Sequence, residues 1–224
     1  MDILGKLAAA FDNLLFDLRH GTSTRAREDL HKSEVESANL EHAVPYVPTQ
    51  GRVFKALMAA IDLPPGGVFV DVGSGKGKVL ILAAEYDFRK IIGVEFSARL
   101  CAIANANIER YSRLRRPAVT PVVHHADIVD YPLSDENVFF LYNPFHTAVM
   151  EAFLARIDQS LRANPRDAWI IYHQPFTPCR SAIEAAGFSE VRLLRLGKAV
   201  FRIYSRPQQA AAPATGALPT CAAL

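Results

Sequence analysis

Cysteine is scarce in this chain, and its placement excludes two kinds of stapled fold. Cys101, Cys179 and Cys221 are odd in number, scattered, and never in C-x-x-C spacing. Neither a disulfide framework nor a cysteine zinc site is therefore expected, and a reducing, cytoplasmic location fits best. Adjacent strand residues point to opposite faces, so His124 and His125 cannot chelate one metal together, and no metal site is expected. No apolar run reaches the ~18 residues of a membrane span. Net charge is also sparse, +2 over 224 residues. That lacks the basic footprint of a nucleic-acid binder. Half of the residues are apolar, enough for a full core in one α/β domain with additions.

What the chain does have is the stretch Val68-Phe-Val-Asp71-Val-Gly73-Ser74-Gly75-Lys-Gly77. Apolar residues flank one acid, glycines recur at alternate positions, and a helical run begins at Lys78. This reads as a buried strand, a tight glycine turn and a helix N-terminus. Glycine accepts positive φ without strain and lets a ligand approach the backbone closely. A P-loop needs G-x-x-x-x-G-K-[ST], but Val72 stands five positions before Gly77 and Val79 follows Lys78. A dinucleotide site needs G-x-G-x-x-G, and here the third glycine comes one residue early. What remains is acid-x-G-x-G-x-G with Asp71 at the strand end. The blander reading is a turn that only packs a helix on a strand.

The rest of the chain alternates strands and helices. Strands are expected at Lys90–Glu95, Val119–His124, Val138–Tyr142 and Ala168–Tyr172. Ser97 caps a helix reaching Tyr111, and another helix spans Thr147–Leu161. Glu190–Leu196 and Ala199–Ser205 read as a closing hairpin across Gly197-Lys198, a two-residue turn that suits type II′. A helix is expected from Gln50 to Asp62, with Thr49 as a candidate N-cap. Glu95 ends the second strand. In doubly wound folds an acid there holds the ribose hydroxyls of an adenosine, and Phe96 is placed to lie against the adenine. A solvated strand end is the alternative.

Residues 1–44 form an N-terminal helical extension. Ile3, Leu4, Leu7, Phe11, Leu14, Leu15 and Leu18 repeat at helical spacing, so the stripe is expected to pack on the core or a partner. A helix lying on a membrane surface is the alternative. Residues 20–44 are polar, a lid or an ordered loop. Arg113, Arg115 and Arg116 read as a solvated turn or a docking patch. From Arg206 to 224 the Ala/Pro-rich composition reads as a disordered tail. Its Cys221-Ala-Ala-Leu224 end fits a prenylation pattern but has no polybasic neighbour.

Taken together, Asp71–Gly77, Glu95, Asp127 and Asn143-Pro144-Phe145 resemble the class I S-adenosylmethionine-dependent methyltransferases, over roughly residues 45–205. Pro45-Tyr46-Val-Pro-Thr49 before the glycine turn is similar to the seven-strand, non-SET protein-lysine methyltransferases in particular. The resemblance implies an α/β, Rossmann-like, doubly wound and mostly parallel seven-stranded sheet with an antiparallel closing hairpin. It implies S-adenosylmethionine as cofactor. Asp71, Gly73, Ser74, Gly75 and Gly77 would hold its methionine end, Tyr46 and Thr49 would cover that end, Glu95 would take the ribose, and Phe96 and Asp127 the adenine. Asn143-Pro144-Phe145 looks like the Asn/Asp-Pro-Pro-aromatic motif of amino-group methyltransferases, without its second proline. There Asn143 and the Pro144 carbonyl would align the acceptor amine, with Tyr142, Phe145 and Phe176 lining an apolar mouth. His146 and His173 are candidate bases. Plainer roles exist for each: capping for Tyr46 and Thr49, a turn for Asp127, a turn start for Asn143. Lys76 and Lys78 depart from the family. A protein lysine is the expected acceptor. The alternatives are a small-molecule amine, a nucleic-acid base, or a non-catalytic binding module.

Overall fold

Strands β1 (Gly67–Val72) and β4 (Val138–Leu141) are buried along their whole length, which is why they read as apolar runs, broken only by Asp71 in β1. The computed structural model describes residues 3–26, 48–142, 147–173 and 177–208. Around that pair stand β2 (Phe88–Glu95), β3 (Val122–His125), β5 (Ala168–His173), β6 (Ser189–Leu196) and β7 (Ala199–Arg206). The order across the sheet is β3-β2-β1-β4-β5-β7-β6. The first five strands pair in parallel, and β7 runs antiparallel to both β5 and β6. Gly197 has φ +64, whereas Lys198 is not in the left-handed region. That combination is the type II′ turn expected for the hairpin.

The helices are α1 (Ile3–His20), α2 (Gly51–Ala60), α3 (Lys78–Ala83), α4 (Ala98–Arg115), α5 (Thr147–Ala163) and α6 (Thr177–Ala185). Strand residues alternate between two cores. Val68, Val70, Val72, Phe139 and Leu141 face α5 and α6. Phe69, Phe140 and Ile171 face the other side, with Phe16, Phe54 and Ile108 of α1, α2 and α4. Ser97 caps α4, its hydroxyl accepting from the Leu100 amide at 3.3 Å. The edge strands explain the misplaced boundaries. β3 is mostly exposed and begins at Val122 rather than Val119. β7 extends to Arg206, whose guanidinium donates to Asp158 at 2.7 Å and to the Ala186 carbonyl at 3.0 Å. Arg206 therefore belongs to the sheet and not to a tail. Helix α6 was not foreseen.

Two expectations at the N-terminal side are corrected. Thr49 is buried but does not cap α2. Gln50 is the N-cap and its side chain makes no capping bond. Instead Asp12 of α1 reaches across and accepts from the Gly51 amide at 2.8 Å. The stripe of α1 also does not pack on the core. Leu7, Phe11, Leu15 and Leu18 are exposed, while Asn13, Phe16, Asp17 and His20 turn inward. The inward face sets polar residues around the core side chain Phe16. Lys78 Nζ, only 2% exposed, donates to Asn13 Oδ1 at 2.6 Å and lies 4.7 Å over the Phe16 ring. Desolvation lowers its pKa to about 8, against the raising effect of Asp12 and Asp17.

Candidate functional site

The glycine turn leaves β1 with three left-handed residues in alternation, Gly73 at φ +74, Gly75 at +54 and Gly77 at +79. Each would strain an ordinary side chain, so the alternate spacing is a conformational requirement. Gly77 is the N-cap of α3. The amides of Gly73 and Ser74 both donate to the Val94 carbonyl, at 2.9 and 3.2 Å, which holds the turn against β2. That approach is close enough to need a residue sequence reasoning missed. A Cβ at Gly93 would lie 2.6 Å from both Ser74 Oγ and Leu80 Cδ1. A glycine inside a strand pattern was the available signal.

Two carboxylates meet at this end of the sheet. Asp71 pairs in register with Gly93 and is 3% exposed. Burial raises its pKa well above the usual carboxylate range, and the Glu95 charge adds to the rise. Glu95 is equally buried. Its Oε2 accepts from the Gly75 amide and its Oε1 from the Ser97 amide, both at 2.9 Å. Burial pushes Glu95 up as well, opposed by hydrogen bonds from the backbone of Ser97, Gly75 and Phe96 and by His125. Glu95 thus ties the glycine turn to the start of α4. An ionised carboxylate has about four lone-pair sites, so with three backbone donors in place one remains to receive a hydroxyl donor. Ser74 Oγ is buried without a hydrogen-bond partner among the described residues.

Other expected residues fall nearby. Phe96 is half-buried, and its carbonyl lies 3.1 Å from His125 Nε2. His124 instead lies against Tyr131, ring centroids 5.3 Å apart. Asp127 Oδ1 accepts from the Val129 amide at 3.1 Å, the turn-forming role offered by the plainer reading. Tyr46, Asn143, Pro144, Phe145, His146 and Phe176 lie outside the described residues. What flanks position 143 is described. Tyr142 and His173, at the ends of β4 and β5, stack with centroids 3.9 Å apart and planes 7° from parallel. Phe201 lies 4.8 Å from His173. Burial drops the His173 pKa to about 4 and raises that of the Tyr142 phenol. Both rings are therefore neutral near pH 7. A histidine of that acidity is poorly matched to take a proton from an alkyl ammonium, and it serves better as an apolar wall.

The two lysines that depart from the family pattern anchor the N-terminal extension. Lys76 Nζ donates to the Ala26 carbonyl at 2.9 Å. Asn107 of α4, also missed in the sequence, donates to the Lys76 carbonyl at 3.0 Å and accepts from the Ser23 amide at 2.8 Å. Thr22, Thr24 and Arg25 are bound in turn by Asp17. The glycine turn is therefore held by β2 on one side and by the N-terminal segment on the other.

The comparisons with known proteins agree with this geometry. A family model described as histone methylation protein DOT1 matches residues 42–117. A protein-lysine N-methyltransferase of Saccharolobus islandicus (strain REY15A) is 25% identical over 124 residues, 55% of this chain and 73% of the relative. Among solved structures, an RNA methyltransferase from Salinibacter ruber in complex with S-adenosyl-L-homocysteine has TM-score 0.51 and 18% identity, covering 74% of this chain and 97% of that one. Ribosomal protein L11 methylase from Lactobacillus delbrueckii subsp. bulgaricus has TM-score 0.53 and 13% identity, covering 70% and 78%. The fold is that of the class I methyltransferases, with the 3-2-1-4-5-7-6 order closed by an antiparallel pair. By that fold and the match across its glycine turn, the chain is a class I S-adenosylmethionine-dependent methyltransferase. No helix among the described residues is long and apolar enough to cross a membrane.

Proposed function

We propose that this methyltransferase transfers its methyl group to a lysine side chain of a protein. The observation that carries the reading is the Asp71–Glu95 pair bracketing a turn of left-handed glycines, beside a neutral wall of Tyr142 and His173. The similarity to the protein-lysine N-methyltransferase of S. islandicus and the DOT1 match across residues 42–117 support the acceptor class.

The donor set fits S-adenosylmethionine. Asp71 suits its ammonium end, the remaining lone pair of Glu95 suits a ribose hydroxyl, and Ser74 Oγ is a buried polar atom in want of a partner. Phe96 and Asp127 are assigned to the adenine, and Tyr46 and Thr49 to the methionine end. The cofactor supplies a methyl group already activated by a sulfonium charge. The protein's task is then alignment and acceptor deprotonation. Asn143 and the Pro144 carbonyl are assigned to accept hydrogen bonds from the amine and so fix the direction of its lone pair, and Phe145 is assigned to the same acceptor motif. Removing the proton from an unperturbed lysine costs about 4–5 kcal/mol at pH 7. The neutral Tyr142–His173 wall offsets part of that by disfavouring the ammonium.

The test is transfer of labelled methyl from S-adenosylmethionine into fractionated lysate, followed by hydrolysis of the labelled protein. Methyl-lysine is the expected product, absent with Glu95→Ala. Label confined to small molecules or nucleic acid would overturn the acceptor class and keep the fold. Asn143→Ala should lower transfer by ~10²-fold or more while cofactor affinity, measured by calorimetry, stays near that of the parent. A parallel collapse of affinity would make Asn143 a cofactor ligand instead.

A further inference from the structure

Helix α1 is amphipathic in the unexpected sense. A surface helix normally turns its apolar stripe to the core. Here Leu7, Phe11, Leu15 and Leu18 are 61, 61, 49 and 72% exposed. At about 100° per residue they fall within one arc of roughly 100°. Leu114 of α4, 63% exposed, prolongs the stripe, since its Cδ1 lies 2.8 Å from where a Cβ on Gly21 would stand. Scattered exposed leucines need no explanation, but a contiguous row of this length marks an interaction surface.

The charges around the stripe select the partner. Both described acids of α1 are turned away from it. Asp12 binds the N-terminus of α2, and Asp17 binds Thr22, Thr24 and Arg25. The exposed residues of the helix with described side chains are Leu7, Ala10, Phe11, Leu15, Leu18 and Arg19, with no acid among them. At the C-terminal end of the stripe stand Arg19, Arg115 and Arg116, all exposed, and Arg115 donates to the Arg19 carbonyl at 3.0 Å. The nearby acid Glu109 is engaged by Arg113. Glu85, the other acid near this end among the described residues, is paired with Lys55, so Arg19, Arg115 and Arg116 leave the rim net cationic, which matches a surface that is apolar inside and anionic at its edge. Pairing of two copies through this face has no acid on the described part of the row to receive those arginines.

We propose that the outward face of α1, with Leu114 and the Arg19–Arg115–Arg116 rim, docks on an anionic lipid bilayer surface, the helix lying in the interface plane. Interfacial helices insert Leu and Phe side chains to the headgroup boundary and keep Lys and Arg toward anionic lipid. The face is independent of the cofactor site, so the test needs no methyl transfer. The full chain is sedimented with sucrose-loaded vesicles of phosphatidylcholine, alone or mixed with phosphatidylglycerol. Binding to the anionic vesicles is expected to be ~10²-fold stronger, the order given by three arginines near such a surface, and to weaken in salt. Phe11→Glu with Leu18→Glu alters only exposed side chains and should abolish sedimentation while leaving the thermal melt and cofactor titration unchanged. Arg19→Glu with Arg116→Glu should erase the preference for anionic vesicles. Equal sedimentation of the Phe11/Leu18 variant, or no binding to anionic vesicles, would overturn the proposal. A wild-type dimer that the same variant renders monomeric, without vesicle binding, would assign the face to a second copy instead.

Discussion

At position 93 a methyl group has no room. The alanine Cβ would lie 2.6 Å from Ser74 Oγ and 2.8 Å from Ser74 Cβ, on the turn that carries Gly73, Gly75 and Gly77. Overpacking of this kind costs about 1–3 kcal/mol. Gly93→Ala should lower the urea midpoint accordingly and weaken S-adenosylmethionine binding ~10-fold or more, because relief requires the turn to move. Adding Ser74→Gly should recover part of both losses, which a double-mutant cycle will show. Glu95→Gln is nominally conservative but not here. Both carboxylate oxygens accept backbone amides, from Gly75 and Ser97. A carboxamide must set an NH2 against one of those N–H groups, at about 1–3 kcal/mol for the donor left unmatched. Calorimetry should show cofactor affinity falling for Glu95→Gln nearly as far as for Glu95→Ala. Retained affinity would mean that neither amide bond matters to the bound turn.

Between elements, the polar inner face of α1 does what an apolar face usually does. Asp17 accepts from the hydroxyls of Thr22 and Thr24, both at 2.8 Å, and from the amides of Thr24 and Arg25 at 2.9 and 3.1 Å. Asp17→Ala should destabilise the fold by about 3 kcal/mol, since several donors lose their acceptor at once. Asp12→Ala removes the cap of α2 and the carboxylate 3.9 Å from buried Lys78 Nζ, and should cost about 1–2 kcal/mol. Amide exchange at Thr24 and Arg25 should accelerate in the first variant and not in the second. These contacts were illegible in the sequence for a physical reason. Helical periodicity shows that α1 has two faces but not which one turns inward, and the cap of α2 comes from a residue 39 positions away. Thr49 was a sound local choice that lost to a tertiary one. By contrast β1, β4, β5 and the hairpin were legible, because burial on both faces leaves apolar runs and a type II′ turn demands its glycine. At the site, Asp71, the alternate glycines and Glu95 follow from local backbone demands. Asn107 and the neutral Tyr142–His173 stack depend on contacts between distant segments and leave no local mark.

Across the whole molecule, buried imidazoles and buried carboxylates contribute to stability on the acid side with opposite signs. His20 is 4% exposed, 4.5 Å from the Phe16 ring, with Nδ1 unpartnered among the described residues. Burial lowers its pKa to about 4, as it does for His173. In the unfolded chain both protonate near 6.5. Above that value neither state carries the proton and their contribution is complete. Between about 6.5 and 4 the unfolded state binds protons that the folded state refuses, so stability falls with pH, by on the order of 3 kcal/mol for each histidine. Asp71 and Glu95 act with the opposite sign. Their folded pKa values are raised, so they favour the folded state in acid and lose that contribution as pH rises through those values. The net curve mixes the two, and only a difference isolates the histidines. His20→Leu removes one imidazole and leaves both carboxylates in place. Its stability relative to the parent, from urea titrations at pH 7.5 and 4.5, should improve by about 2–3 kcal/mol on going to the lower pH. A gap that stays constant between the two conditions would mean that His20 takes up its proton in the fold as readily as in the unfolded chain, and the contact of α1 with Tyr111 would then have to open in acid.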